Sequence, residues 1–162
     1  MARASREAAG RGAARTPPAI VVRPVRRADL DRVIEIDATV TRLPKADYWR
    51  SLYRRYGTVK DVARHFLVAE ADRRVVGYVI GEIRDWEFGS PPCGWVFAIS
   101  VDPRNRLAGV GAQLLAEIAV RFRQRGANKL RTMLSRDNTL ILSFFRSQGM
   151  MAAPFIPLEL DA

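Results

Sequence analysis

Cysteine and histidine occur once each in this 162-residue chain, as Cys93 and His65. A lone cysteine cannot close an intrachain disulfide, and with no signal-peptide pattern at the start it points to a cytoplasmic protein. One histidine and one cysteine do not make a zinc set, so no protein-bound metal is expected. Cys93 follows Pro91-Pro92 and reads as an incidental thiol at a loop tip, with no histidine beside it in sequence. Lysine is scarce too: Lys45, Lys60 and Lys129 are the only three, so arginine carries nearly all the positive charge. No apolar run approaches the roughly 18 to 20 residues that cross a bilayer, so no membrane span is expected. The absence of GxxxxGK[ST] excludes a P-loop. The absence of a third glycine and a downstream ribose-binding acid in a repeated βαβ pattern argues against a dinucleotide fold.

What is present suits one compact unit. Hydrophobic residues make up 48% of the chain, enough for a sizeable core in a single domain over residues 20–162. The formal net charge is +10. Residues 1–19 contribute +3 through Arg3, Arg6, Arg11 and Arg15 against Glu7. This Ala/Arg/Gly-rich segment has no apolar period, ends near Pro17-Pro18, and reads as a disordered tail. Its composition mimics a transit peptide, but it lacks an amphipathic face. No aromatic residue interleaves with its arginines to stack on bases, so nucleic acid is not an expected partner. The basic body fits a polyphosphate ligand, and fits equally an arginine-biased solvated surface.

Along the chain, Ile20–Val25 is an expected strand that Pro24 assigns to a sheet edge. Asp29 is placed to cap a helix whose face holds Leu30, Val33, Ile34 and Asp37. A second helix, from about Lys45 to Tyr56, carries Tyr48, Trp49, Leu52 and Tyr53 and closes at Gly57; such a stripe is core material. Two antiparallel strands, His65–Glu70 and Val75–Ile83, follow. The connection Arg84–Gly94 leads into a central strand, Trp95–Val101, rich in β-branched and aromatic residues. Lys129–Leu134, a helix over Thr139–Gln148 and a closing strand over Phe155–Leu160 complete the order β-α-α-β-β-β-α-β-α-β.

The informative stretch runs from Trp95 to Gly126. Asp102-Pro103 stops the strand, since proline lacks a donor and restricts its predecessor. Arg106-Leu107-Ala108-Gly109-Val110-Gly111 then opens a helix with Leu114, Leu115, Ile118 and Phe122 at helical spacing, and Gly126 stands where a C′ glycine belongs. A strand, a glycine-containing turn and a helix N-terminus make an anion site, because the first-turn amides are unpaired and the dipole favours negative charge.

Arg106-x-x-Gly109-x-Gly111 after Ile99-Ser100-Val101-Asp102-Pro103 resembles the acyl-CoA signature of the GNAT superfamily of N-acetyltransferases. Asn138 to Met150, with an asparagine opening a helix that ends in Gly149 and a large apolar residue, resembles its second signature. The likeness runs over about Ile20 to Leu160. It implies a mixed α+β fold: a mostly antiparallel sheet of about six to seven strands, helices on both faces, and a central strand pair that splays apart. It also implies acetyl-CoA as acyl donor and an amine as acceptor, in a monomer or homodimer. The turn Arg106, Leu107, Ala108, Gly109, Val110, Gly111 and Ala112 would hold the diphosphate, with charge from Arg104. Ile99, Ser100 and Val101 would offer backbone groups to the pantetheine arm. Asn138 and Phe145 would face the cofactor, and the Asn138 side chain would also serve as a helix N-cap.

Two positions depart from the family pattern. The glutamate many members carry on the central strand is Trp95 here, and the tyrosine many carry on the last helix is Phe145. Neither exchanges a proton at neutral pH. Proximity alone lowers much of the barrier, and a thiolate leaves readily. A base is then sought among Glu82, Asp85, Glu87, Glu35 and Asp37, each of which also reads as an ordinary surface carboxylate. Glu82 and Glu87 are preferred because their segments adjoin the central strand. Trp95, Trp86 and Phe88 are candidates to line an aromatic acceptor pocket. The expected activity is acetyl transfer to a primary amine of a small molecule or protein, by direct attack in a ternary complex. The alternative is a catalytically silent acyl-CoA-binding regulatory domain.

Overall fold

A computed structural model describes residues 19–58 and 61–161. The tail expectation for residues 1–19 lies outside the described residues except for Ala19. Strand β1 (Ile20–Pro24) leads through a short 3₁₀ turn, Arg27–Asp29, into helices α1 (Leu30–Thr41) and α2 (Ala46–Leu52). Strands β2 (Arg64–Ala71), β3 (Arg74–Arg84) and β4 (Cys93–Val101) follow. A 3₁₀ turn, Pro103–Ala108, enters helix α3 (Val110–Arg123), and β5 (Leu130–Arg131) and helix α4 (Thr139–Ser147) come last.

Among the described residues the strands form one sheet in the order β1-β2-β3-β4-β5. The first three pairings are antiparallel and β4–β5 is parallel. Proline at the end of β1 fits its edge place, as its spacing predicts. Side chains alternate across the sheet with period two, reset by a register shift at Ala69/Glu70 that brings Val76 of β3 to the same face as Val79. Phe66, Val68, Tyr78 and Ile80 pack on one face with Val33 and Ile36 of α1 and Trp49 of α2. Leu67, Ala69, Val76 and Val79 pack on the other with Leu114, Ile118 and Phe122 of α3 and with Phe145 of α4. The sheet thus carries a separate core on each face, and its helices cover both.

Several expectations need correction. Among the described residues the sheet has five strands, and the expected six to seven are not found there. Lys129–Leu134 contributes only the two residues of β5. No strand forms over Phe155–Leu160, where Pro154 and Pro157 lack donors; Ile156, Leu158 and Leu160 stand exposed. Asp29 does not cap α1; its carboxylate accepts from Arg26 N at 2.7 Å and from the Arg23 guanidinium, bracing the preceding turn. Helix α2 ends at Leu52 and passes into a π-helical turn, Tyr53–Gly57, where Thr58 N reaches Tyr53 O at 3.1 Å. Cys93 is no loop-tip thiol. It is the first residue of β4, 2% exposed, and its sulfur accepts from Arg131 Nη1 at 3.3 Å.

Candidate functional site

The site begins where the sheet comes apart. Strand β5 pairs with β4 only through Gly94–Leu130 and Trp95–Arg131. Beyond that point β4 runs on to Val101 with no strand on that side among the described residues. A cleft of about 360 Å³ lies there. One wall is Val96–Ser100 of β4, the facing wall is Thr132–Ser135, and Asn138, Ile141 and Phe145 of α4 close one side. The remaining side is built by Asp37, Val40 and Thr41 of α1 with Lys45, Tyr48 and Trp49, over Tyr78 of β3.

An irregularity in β4 shapes the first wall. Ile80 pairs with Ala98 but Gly81 pairs with Val96, so Phe97 is one residue too many for the ladder. Such a bulge bends the strand and re-aims its side chains. Phe97 is part-exposed, lines the cleft, and takes the edge of the Tyr56 ring at 5.3 Å between centroids.

Ile99, Ser100, Asn138 and Phe145, four of the residues singled out in the sequence, line this one cleft. Asn138 Oδ1 also accepts from Ile141 N at 3.2 Å, so the same side chain caps α4. Phe145 is 4% exposed and belongs to the core below α4, so it brings an apolar surface and no proton. Val101 sits just past the cleft, against the start of α3.

The two signature glycines have different work. Gly109 adopts φ 72°, which favours a residue without a side chain, and an added Cβ there would meet nothing within 4 Å. Gly111 is a packing residue: its Cβ would lie 3.0 Å from the Phe144 ring of α4. The first bond of the helical ladder runs from Gln113 N to Gly109 O. The amides of Val110, Gly111 and Ala112 therefore precede the ladder, and no side chain caps them. Arg106, in the 3₁₀ turn with Leu107 and Ala108, is exposed and pairs with no carboxylate among the described residues. Arg104 is committed elsewhere: it binds Asp102 through its amide and its guanidinium. The helix start without a side-chain cap, the exposed Arg106 and the cleft beside β4 suit a diphosphate with an extended arm.

The carboxylates sort clearly. Of the five weighed as a base, Asp37 alone lines the cleft. Its side chain is buried, accepts from Trp49 Nε1 at 3.0 Å, and pairs with Lys45 Nζ at 3.0 Å. The Tyr78 hydroxyl lies beside Asp37 and Ser100, and burial, with the Asp37 charge next, pushes its pKa well above the usual phenol range. Glu82 and Glu87, the preferred pair, are not on the cleft wall. Glu82 is taken by Tyr56 Oη at 2.7 Å and Arg84 Nε at 3.0 Å, and Glu87 stands exposed with Arg84 at 3.8 Å. Glu35 faces solvent with Arg32, and Asp85 is outside the cleft. The expected aromatic pocket does not form either: Trp86 and Phe88 are exposed, and Trp95 lies under the Arg84 guanidinium, away from the lining. Tyr48, Trp49 and Phe97 supply the aromatic surface instead. Tyr78 escaped the sequence reading; its one signal was a phenol inside an apolar strand, where a buried hydroxyl needs a partner.

Among the described residues no cluster of His, Cys, Asp and Glu could hold a metal, and no helix is long and apolar enough to cross a membrane. The model of the Acetyltransferase (GNAT) family matches residues 30–150. A curated relative, L-2,4-diaminobutyric acid acetyltransferase of Nocardia farcinica, is 35% identical over 79 residues, which are 49% of this chain and 39% of that protein. The chain thus aligns with well under half of that relative's length. The structure of the aminoglycoside N-acetyltransferase AAC(6')-Iy in complex with CoA superposes with a TM-score of 0.78 at 18% identity, over 91% of this chain and 97% of that one. The same enzyme with the bisubstrate analogue CoA-S-monomethyl-acetylneamine gives 0.76 at 18% identity, over 89% and 99%. At such identities these two likenesses establish a shared fold.

Proposed function

This chain belongs to the GNAT acetyltransferase family, and from that premise we propose that it transfers an acetyl group from acetyl-CoA to a primary amine by direct attack within a ternary complex. The observation that carries the reading is the parted β4–β5 pair, whose cleft holds Ile99, Ser100 and Asn138 on one side and the Asp37 carboxylate on another. Bound acetyl-CoA supplies the activated thioester. The chain's own residues do the rest. The amides of Val110, Gly111 and Ala112, with Arg106, hold the diphosphate. Backbone groups of Ile99, Ser100 and Val101 align the arm, and a main-chain N–H of this stretch polarises the thioester carbonyl. Phe145 and Ile141 exclude water. Asp37 brings a negative charge to the acceptor side, which draws in an ammonium ion. Structures of the same fold in complex with CoA and with the bisubstrate analogue CoA-S-monomethyl-acetylneamine support CoA as the donor's carrier.

The test is release of free thiol from acetyl-CoA by the purified protein across a panel of primary amines, diamino acids and aminoglycosides. Acceptor-dependent release is expected. One observation favours a second reading, a silent acyl-CoA-binding domain: neither Trp95 nor Phe145 carries an exchangeable acidic proton. That reading requires CoA binding by calorimetry with no thiol release from any amine.

A further inference from the structure

We infer that Asp37 is the seat of the acceptor's ammonium group, and that Lys45 occupies this seat as a stand-in until an acceptor displaces it. The inference rests on the transfer reading, to which it adds the recognised chemistry: a primary ammonium on an unbranched alkyl stem.

Asp37 is built to present a charge. It is 5% exposed on the cleft side of α1, and its Oδ2 is held by Trp49 Nε1 at 3.0 Å. Trp49 is itself buried, 1% exposed, with the Tyr78 ring 4.9 Å and the Phe66 ring 6.1 Å from its own. The indole therefore fixes the carboxylate's direction. Trp49 Nε1 and the neighbouring Tyr78 hydroxyl are neutral groups that leave the anion's charge uncompensated, and a buried carboxylate requires a cation. Lys45 provides it, with Nζ 3.0 Å from Oδ2.

The two partners are held very differently. The Asp37 side chain is 7% exposed and the Lys45 side chain 35%. Lys45 precedes the first turn of α2 at φ −122° and ψ 52°, and its long stem lets the ammonium swing to water at little cost. The Tyr48 ring, 5.6 Å from Nζ, offers a second cation contact at the same place. A lysine side chain is a primary ammonium on an unbranched four-carbon stem. Its lodging against Asp37, in the cleft that also holds Ile99 and Ser100, marks where an acceptor of the same kind fits. Once there, the ammonium gives one proton to the carboxylate beside it before its nitrogen attacks the thioester carbonyl; as the C–S bond breaks, the nitrogen's second proton goes to the departing thiolate, which leaves as free thiol. Lys45 is also the unusual choice in a chain whose other cations are almost all arginines. An arginine fork would bind the carboxylate bidentately and hold the seat shut.

The experiment needs no acetyl-CoA, so its failure is distinct from a failure of the transfer reading. In Lys45→Ala, n-butylammonium is titrated while the Trp49 indole N–H resonance is followed, with n-butanol and tetramethylammonium as controls at constant ionic strength. A saturable shift with n-butylammonium alone is expected, lost in Lys45→Ala/Asp37→Asn. Wild-type protein should show the same shift about tenfold more weakly, because Lys45 competes. Should the alanine variant not fold, the wild-type titration and its Asp37→Asn counterpart decide. No shift, an equal shift with n-butanol, or a shift that survives Asp37→Asn overturns the proposal. In turnover assays Asp37→Asn should raise the acceptor KM about tenfold or more while CoA affinity stays unchanged. An unchanged KM also overturns it.

Discussion

Glu82 of β3 and Trp95 of β4 stand opposite one another in the antiparallel ladder. Around them Tyr56 and Arg84 complete a closed group. Glu82 accepts from Tyr56 Oη at 2.7 Å and Arg84 Nε at 3.0 Å, and the Arg84 guanidinium lies 4.7 Å above the Trp95 ring. The position where relatives of this pattern carry a glutamate is thus part of a structural cluster, and its nearest carboxylate is occupied. Glu82→Gln should leave thiol release close to the wild-type rate. A collapse of turnover with CoA binding intact would return Glu82 to the chemistry.

The Tyr56 phenol reports on the same cluster. Burial, and then the hydrogen bond to Glu82, push its pKa up to about 12. A folded-state pKa above the unfolded value of about 10 means that stability is fully present below about pH 10. It is lost as pH rises towards the folded value. Ultraviolet titration should show one phenol ionising earlier in Glu82→Gln than in wild type. Tyr56→Phe should flatten the fall in melting temperature between about pH 10 and 12. If both variants titrate and melt in parallel with wild type, the hydrogen bond does not set this pKa.

Gly109 and Gly111 should fail in different ways when substituted. At Gly109 an added side chain meets open space but inherits φ 72°, so alanine costs about 1 kcal/mol in strain and leaves the cleft unobstructed. Gly109→Glu should keep the fold and abolish CoA binding, since its carboxylate would stand beside the unpaired amides of α3. Gly111→Ala brings a methyl to 3.0 Å from the Phe144 ring, so the gain of about 0.5 to 1 kcal/mol that alanine has over glycine within a helix is lost to crowding. Pairing it with Phe144→Leu should recover much of that loss. Calorimetry and thermal melts of the four proteins check the contrast, and equal behaviour of the two glycine variants would refute it.

The difference between these glycines also shows how far the sequence could be read. The strand-turn-helix order around Gly109 and the C′ place of Gly126 are local patterns, and each was legible. Ile99, Ser100, Asn138 and Phe145 were legible as a group because the motif fixes their register. The Phe97 bulge was not, since one extra residue leaves an apolar run looking the same. The place of Asp37 was not either. Adjacency to the central strand favours Glu82 and Glu87 among the five carboxylates, and only the packing of α1 over β3 and β4 brings Asp37 into the cleft instead. The closing strand expected over Phe155–Leu160, interrupted by Pro157, does not form, because Pro154 ahead of it and Pro157 inside it both remove donors from any ladder.

Asp102 joins the donor and acceptor sides, and its titration has a definite sign. Its carboxylate accepts from Arg104 N at 3.0 Å and Arg104 Nη2 at 2.9 Å, and it also binds Arg32 of α1. Its own amide is tied to Val76 O of β3 at 2.8 Å. The Arg104 hydrogen bonds, aided by Arg32 and working against burial, hold the Asp102 carboxyl well below the usual range. A folded-state pKa below the unfolded value of about 4 contributes stability that is complete above about pH 4 and is lost as pH falls through the lower folded value. Asp102→Asn lacks that contribution at every pH. Its melting temperature should therefore lie below wild type by a constant margin from neutrality down to about pH 4, and the margin should close only under stronger acid. The variant should also bind CoA more weakly, because the turn that delivers Arg106 and the α3 amides loses its anchor to α1. A margin that persists undiminished into strong acid, or CoA affinity equal to wild type, would show that Asp102 does not tie these elements together.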